Sequence, residues 1–345
     1  GFIGGWASDP TVWMMNSFTQ CVNPLSNTNP TVAGGLVVNN GKIEYAVMKD
    51  EYRDGLRYMH KLFEEGLLDN QTFLQDNTQF SATMDASEGN KVAVYANGGV
   101  ENSEFWQQVD GEWQNWEILA PVAGPDGVRY SGRCIQTYFE GCLGVVSSTC
   151  KYPEIVVALF DFMASEDAAH HIGGGPEGIA WKYTDEGVSL SGGTPAYEQI
   201  TVPEDFDYVK EGGLPKAYAN YRYTPDAMIQ RGSAEYRGGL KIEDPSHSTE
   251  YWFQQCAELY SQYAPDVNTL VPNLSFEGED ARIVTEGTLT IGGYVNQALV
   301  QFIDGSLDIE KDWDAYIERL ESMGVDEYVA AYQRTYDAYM EAQGK

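Results

Sequence analysis

The segment from Leu36 to Gly66 carries the strongest local instruction in the chain. It reads Leu36-Val-Val, then Asn39-Asn-Gly41, then Lys42-Ile-Glu-Tyr-Ala46, and finally a helix-periodic stretch. Asn-Gly between two short apolar runs predicts a β-hairpin, because both central residues of the tight turn need positive φ, which Asn and Gly adopt at little cost. From Asp50 to Glu65, Leu56, Met59, Leu62 and Phe63 recur at helical spacing on one face, and Gly66 stands where a C-terminal cap belongs. A hairpin running straight into an amphipathic helix is the signature of layered strands and helices.

The same alternation continues. Helices are expected near Thr78–Ala86, through Phe105-Trp106, over Pro153–Met163, Tyr251–Tyr260 and Gly293–Phe302, and over Asp312–Met323 and Asp326–Met340. Strands are expected at Val92–Ala96, Trp116–Pro121 and Gly141–Val146, and a turn at Gly124–Gly127. Gly173–Gly239 is rich in Gly, Pro and Tyr and weakly periodic, so it reads as irregular surface structure with short helices. The fold class is therefore α/β, and 345 residues suit two lobes better than one.

With 52 acidic against 21 basic residues the formal charge is −31. Such a field repels phosphate, so nucleic acid and anionic membrane are poor partners, while a neutral or cationic small ligand stays open. The plain alternative is that the acidity serves solubility in an exported protein. No apolar run reaches the ~18 residues of a membrane span. The five cysteines, Cys21, Cys134, Cys142, Cys150 and Cys256, form no C-x-x-C pair, and their odd number leaves at least one thiol free.

Chemical motifs mostly fail on inspection. Gly173-Gly-Gly-Pro-Glu-Gly178 satisfies G-x-G-x-x-G, yet it lacks the preceding strand and following helix that bring phosphate to helix amides, so a chain reversal is the better reading. Asp308-Ile-Glu-Lys-Asp312-Trp-Asp314 resembles the start of a calcium loop, but the glycine at its sixth position is missing and Arg319 replaces the closing glutamate. A helix start with acids favourably placed on the dipole fits better. His60, His170, His171 and His247 show no metal-binding spacing, and no G-x-S-x-G elbow exists. No cofactor is implied. A glycoside hydrolase or lyase needs only two carboxylates, and 52 acids leave that alternative open without naming either residue.

Aromatic residues are the positive signal. Trp6, Trp13, Tyr138, Phe139, Trp181 and Tyr183 all fall in or beside expected loops, next to Gly or polar residues. Each alone is more often packing than contact. As a group they suit a cleft that stacks on sugar faces and hydrogen-bonds hydroxyls. Asn97 and Arg133, and also Glu177, are candidates for the fixed polar groups of such a pocket. The expected ligand-binding set is Trp6, Trp13, Asn97, Arg133, Tyr138 and Trp181, with no catalytic and no metal-binding residue.

Three blocks carry a resemblance. The first runs from Asn40-Gly-Lys-Ile-Glu-Tyr through Asp50-Glu-Tyr-Arg-Asp-Gly-Leu-Arg-Tyr-Met to Leu62-Phe-Glu-Glu-Gly-Leu-Leu-Asp69. The second is Gly175-Pro-Glu-Gly-Ile-Ala-Trp181, and the third extends from Phe302 to Tyr316 with Leu320–Val325 and Tyr332–Asp337. Together they resemble the family 1 extracellular solute-binding proteins, in particular their Gram-positive surface-lipoprotein branch. The resemblance implies a periplasmic-binding-protein-like (type II) two-lobe fold, here incomplete in the first lobe. It implies residues 1–125 as second-lobe α/β core, 126–285 as hinge crossing and remaining first-lobe elements, and 286–345 as helices returning to the second lobe. The implied role is capture of an oligosaccharide, or less often a peptide, for an ABC permease, with cleft residues around Trp6, the loop after Ala96 and Arg133–Phe139. The implied place is the cell surface, reached through a lipid anchor on a segment preceding Gly1.

Overall fold

The computed structural model describes residues 2–3, 10–21, 35–84, 92–95, 116–131, 145–163, 165, 177–190, 192–201, 238–242 and 249–344. The chain divides into two compact units. Unit 1 comprises Gly1–Tyr138 and Gln255–Lys345, and unit 2 comprises Phe139–Gln254. The sequence reading drew its divisions at 125/126 and 285/286.

In unit 1, strands β2 (Leu36–Asn39) and β3 (Lys42–Tyr45) form the expected hairpin, with Asn39 opposite Lys42 and Leu36 opposite Tyr45. Asn40 (φ 50°) and Gly41 (φ 82°) are both left-handed, which makes the two-residue turn match the twist of the strands. Helix α2 (Asp50–Glu64) follows. It ends as the sequence foretells: Gly66 adopts φ 68°, its amide donates to the Phe63 carbonyl, and the Leu67 amide donates back to Leu62 at 2.8 Å. Those two bonds satisfy carbonyls that a helix end would otherwise orphan.

Three further helices complete this core: α6 (Gly278–Asp304), α7 (Trp313–Ser322) and α8 (Val325–Ala342). Leu56 and Met59 of α2 meet Ile291, Val295 and Phe302 of α6, Leu320 of α7 and Tyr328 of α8 in one apolar cluster. Each such fully buried side chain contributes roughly 1.5–3 kcal/mol. The edge of β3 is closed by a side chain: Gln333 of α8 accepts from the Ile43 amide at 2.6 Å and donates to the Gly41 carbonyl at 2.9 Å.

Helix α6 is 27 residues long, about 40 Å, where the sequence suggests only Gly293–Phe302. Gly287 within it has a packing reason, since a Cβ there would collide with the Tyr328 ring. Beyond Gly305 (φ 81°), Asp308 and Asp312 behave as helix-start residues. The Asp312 carboxylate accepts from the Asp308 amide, and that of Asp308 accepts from the Glu310 and Lys311 amides while pairing with the Lys311 side chain.

Elsewhere in unit 1, strand β1 (Phe2–Ile3) pairs in parallel with β4 (Val94–Tyr95), and the chain also forms helices α1 (Pro10–Met14) and α3 (Asn77–Met84). Ile3, Phe80 and Val92 make a small second core there. The expected strand Trp116–Pro121 does not form. Two of its carbonyls are taken by side chains instead, Leu119 accepting from the Tyr260 hydroxyl and Pro121 from Arg129 Nε, and Val122 just beyond accepts from Ser17 Oγ. The turn at Gly124–Gly127 is present, with Gly127 at φ 79°.

Among the described residues, unit 2 holds α4 (Pro153–Met163), with the bounds the sequence gives, three short strands in the region read as irregular and a fourth just beyond it. Strand β5 (Trp181–Tyr183) pairs antiparallel with β7 (Tyr197–Gln199), and β6 (Val188–Ser189) with β8 (Lys241–Ile242). Helix α5 (Thr249–Ser261) runs through the division at Gln254. The expected strand Gly141–Val146 is not seen in its described part, where Val145 is 84% exposed and a turn begins at Ser147. The expected helix through Phe105-Trp106 lies outside the described residues.

Candidate functional site

The candidate site is built on unit 1 from aromatic side chains that are neither core nor free surface. Trp13, at the end of the short α1, meets Tyr260 of α5 edge to face, ring centroids 5.6 Å apart. Tyr95, on β4, meets Trp116 in the same geometry at 5.0 Å and tilts against Phe80 at 6.3 Å. All four of Trp13, Tyr95, Trp116 and Tyr260 are half-buried. Edge-to-face packing holds a ring rigid while leaving part of a face uncovered, the arrangement a sugar-stacking platform needs.

The two pairs are joined by the strip Trp116–Ser131. Its Leu119 carbonyl accepts from Tyr260 at 2.7 Å, and its Tyr130 and Ser131 amides donate to Asn16 and Tyr263. Burial pushes the Tyr95 and Tyr260 phenols up to about 12, with the nearby Cys256 adding to the shift. Both therefore keep their protons near neutrality and stand as neutral hydroxyls. Arg129 completes the strip: its guanidinium lies over the Tyr263 ring, 4.0 Å from the centroid.

Strand topology points to the same region. Because β1 and β4 run parallel, with Phe2 opposite Val94 and Ile3 opposite Tyr95, their carboxyl ends share one edge. In open α/β sheets ligands bind beyond that edge. Trp6 follows β1 by three residues and Asn97 follows β4 by two.

Of the residues expected from sequence, Trp13 falls in this aromatic group. Trp6, Asn97, Arg133 and Tyr138, with Phe139, lie outside the described residues. Trp181 is on β5 of unit 2, 1% exposed, packed with Tyr197 and Leu240 and edge to face with Tyr183 at 5.0 Å. Its ring meets no solvent in this structure, because the strand pairing turns it into a small core. Tyr183 (52% exposed) and Glu177 face water. Sequence reading passed over Tyr95, Trp116, Arg129 and Tyr260. Tyr95 and Trp116 sat in expected strands and Tyr260 in an expected helix, where an aromatic ring reads as core.

Other chemistry finds little support among the described residues. No group of three or more His, Cys, Asp or Glu is placed to hold a metal ion. Every described carboxyl with a shifted pKa moves down, as Glu44 does beside Lys49 and Glu310 beside Arg57. A glycosidase acid needs the opposite shift. Cys21, Cys150 and Cys256 are free thiols, and no described helix is long and apolar enough to cross a membrane.

Known proteins share this fold. No family model matches the chain. It is 22% identical over 307 residues to the fructooligosaccharide ABC transporter substrate-binding protein FusA of Streptococcus pneumoniae, covering 88% of the chain and 52% of the relative. Among solved structures it is similar to S. pneumoniae FusA in complex with kestose, with a TM-score of 0.63, 21% identity, and 99% and 63% of the two chains covered. It is likewise similar to an HMO-binding, ABC-transporter-associated solute-binding protein from Bifidobacterium longum infantis, with a TM-score of 0.65, 19% identity, and 98% and 64% covered. The chain thus spans about half the length of the curated relative it matches. The fold is that of the ABC-transporter solute-binding proteins, the two-lobe α/β class expected from the sequence.

Proposed function

We propose that this chain is the greater part of the extracellular solute-binding component of an ABC importer, and that it captures an oligosaccharide. The half-buried aromatic group of Trp13, Tyr95, Trp116 and Tyr260 carries the reading. It supplies ring faces and neutral hydroxyls at the edge of a parallel strand pair, in a fold whose similar proteins bind fructooligosaccharides and HMOs. Trp6, Asn97, Arg133 and Tyr138 belong to the same proposed site from the other segments that follow or precede these elements.

The mechanism is capture without bond making. A ligand that touches both lobes gains contact area in a closed state and shifts the population toward it. The partner is an ABC permease, and the protein is a cell-surface lipoprotein of a Gram-positive bacterium, held to the membrane by its lipid and not by this acidic surface. Peptide capture is the alternative load. Titration calorimetry of the intact protein against kestose, nystose, milk-type glycans and a peptide pool tests the reading, with chromatography of each sugar after incubation. Stoichiometric binding of a glycan, recovered unchanged, is the expected result. Cleavage of any sugar, or binding of peptides alone, overturns it.

A further inference from the structure

The cations of this protein are scarce, and of the six described arginines four are committed to carboxylates. Arg53, Arg57, Arg282 and Arg334 each hold at least one carboxylate. Among the described residues Arg319 has no such partner, but it is exposed. Arg129 differs from all of these. It is half-buried, its Nε donates to the Pro121 carbonyl, and its plane lies over Tyr263. Among the described residues, its two terminal nitrogens meet no acceptor. A guanidinium offers five N–H donors in a rigid fork, so four remain unassigned in a chain with 52 acidic residues available to take them.

Its surroundings give the unassigned donors a purpose. Tyr263 follows Tyr260 by one turn, with the Tyr263 amide donating to the Tyr260 carbonyl at 3.0 Å, and Tyr260 carries the ring contact to Trp13. Pro121 stands two residues from Leu119, the carbonyl that Tyr260 holds. The ring below and the carbonyl beside it fix the guanidinium before any ligand arrives, so little conformational entropy is lost on binding. A fork held flat beside a stacking platform matches two neighbouring oxygens at the rim of a sugar ring.

We propose that Arg129 is a ligand-binding, specificity-determining residue of the carbohydrate site, its terminal nitrogens donating to a vicinal pair of sugar hydroxyls. The proposal rests on the reading of the site as a carbohydrate site. A carboxylate would satisfy the same fork, but it must approach a chain of formal charge −31, which favours the neutral diol. Lysine presents a point charge in place of a fork, so Arg129→Lys keeps the charge and removes the two-point contact.

Calorimetry of the intact protein and of Arg129→Lys with kestose, nystose and a trisaccharide of uronic acids tests this, with thermal midpoints as a folding control. The expected result is neutral-sugar affinity lower by about ten- to hundredfold in Arg129→Lys at an unchanged midpoint, and weaker binding of the uronate than of the neutral sugar by the parent. A second measurement stays valid if the variant misfolds: modification of Arg129 by phenylglyoxal in the parent, read by mass spectrometry, is slowed by saturating kestose. Parent-like affinity in Arg129→Lys, or undiminished modification under saturating kestose, overturns the role of Arg129 and leaves the carbohydrate reading standing. Tighter binding of the uronate overturns the diol assignment. Failure of the parent to bind any glycan overturns the carbohydrate reading, and this inference with it.

Discussion

Leu320 has 0% exposure and sits where α7 meets the shared apolar cluster of unit 1, whereas Leu289, on α6, is 72% exposed. The two leucines separate burial from composition. Leu320→Ala removes buried methyl groups and leaves a cavity, and is expected to cost about 2–5 kcal/mol in a denaturant titration, against less than about 0.5 kcal/mol for Leu289→Ala. Gly287 poses the converse case. Its missing Cβ leaves room for the Tyr328 ring, which an added Cβ would overlap, so Gly287→Ala forces the ring or α8 to shift and is expected to lose about 1–3 kcal/mol despite alanine's better helix propensity. A variant as stable as the parent would show that α6 and α8 are not in such close contact. At the functional site the same scale matters for Arg129, whose fork and not whose charge is the proposed contact.

Among elements, titration links the tyrosine-bearing helices to stability. Burial raises Cys21 from 9.0 to about 12 and Tyr95 and Tyr260 from 10.0 to about 12, and it raises Tyr45, Tyr316 and Tyr332 as well. These groups sit near α1, on β3, β4 and α5, and on the face shared by α7 and α8. Their folded-state values lie above the unfolded ones, so the stability they confer is complete below about pH 9 and drains away as pH rises, once the unfolded chain can ionise and the folded one cannot. Circular dichroism across pH 8–12 is expected to show denaturant midpoints falling from about pH 9–10 upward. The lowered carboxyls, Glu44, Asp280, Asp308 and Glu310, act in the opposite window: their contribution is present above pH 4.5 and lost as pH falls below it. A flat midpoint between pH 9 and 11 would contradict the burial of these phenols. Local elements were also the legible ones. The hairpin and the end of α2 are specified by residues adjacent in sequence, Asn40-Gly41 and Gly66, which is why their bounds were readable. Residues 116–121 were not, because the side chains that hold their carbonyls, Tyr260 and Arg129, reach in from elsewhere in the sequence.

For the whole molecule, the proposed role as a solute-binding protein implies hinge closure as the response to ligand. Small-angle scattering of the intact protein is expected to show a smaller radius of gyration with saturating kestose, and no change with a sugar that calorimetry finds inert. Equal radii in both conditions would rule against closure while leaving sugar capture itself intact. The formal charge of −31 belongs to this scale too, since it acts over a Debye length and sets which ligands approach at all.

By itself the sequence determined the α/β class, the hairpin, most helix positions, the acidity and the resemblance to solute-binding proteins, because periodicity, turn chemistry and charge are properties of neighbouring residues or of sums over the chain. Tertiary structure alone decided which rings are buried and which stay partly exposed. Trp181 reads as a loop aromatic, yet pairing of β5 with β7 buries it; Tyr260 reads as helix core, yet it stands half-buried against Trp13. A ring's availability to a ligand depends on what folds over it from distant parts of the chain, and no local pattern encodes that.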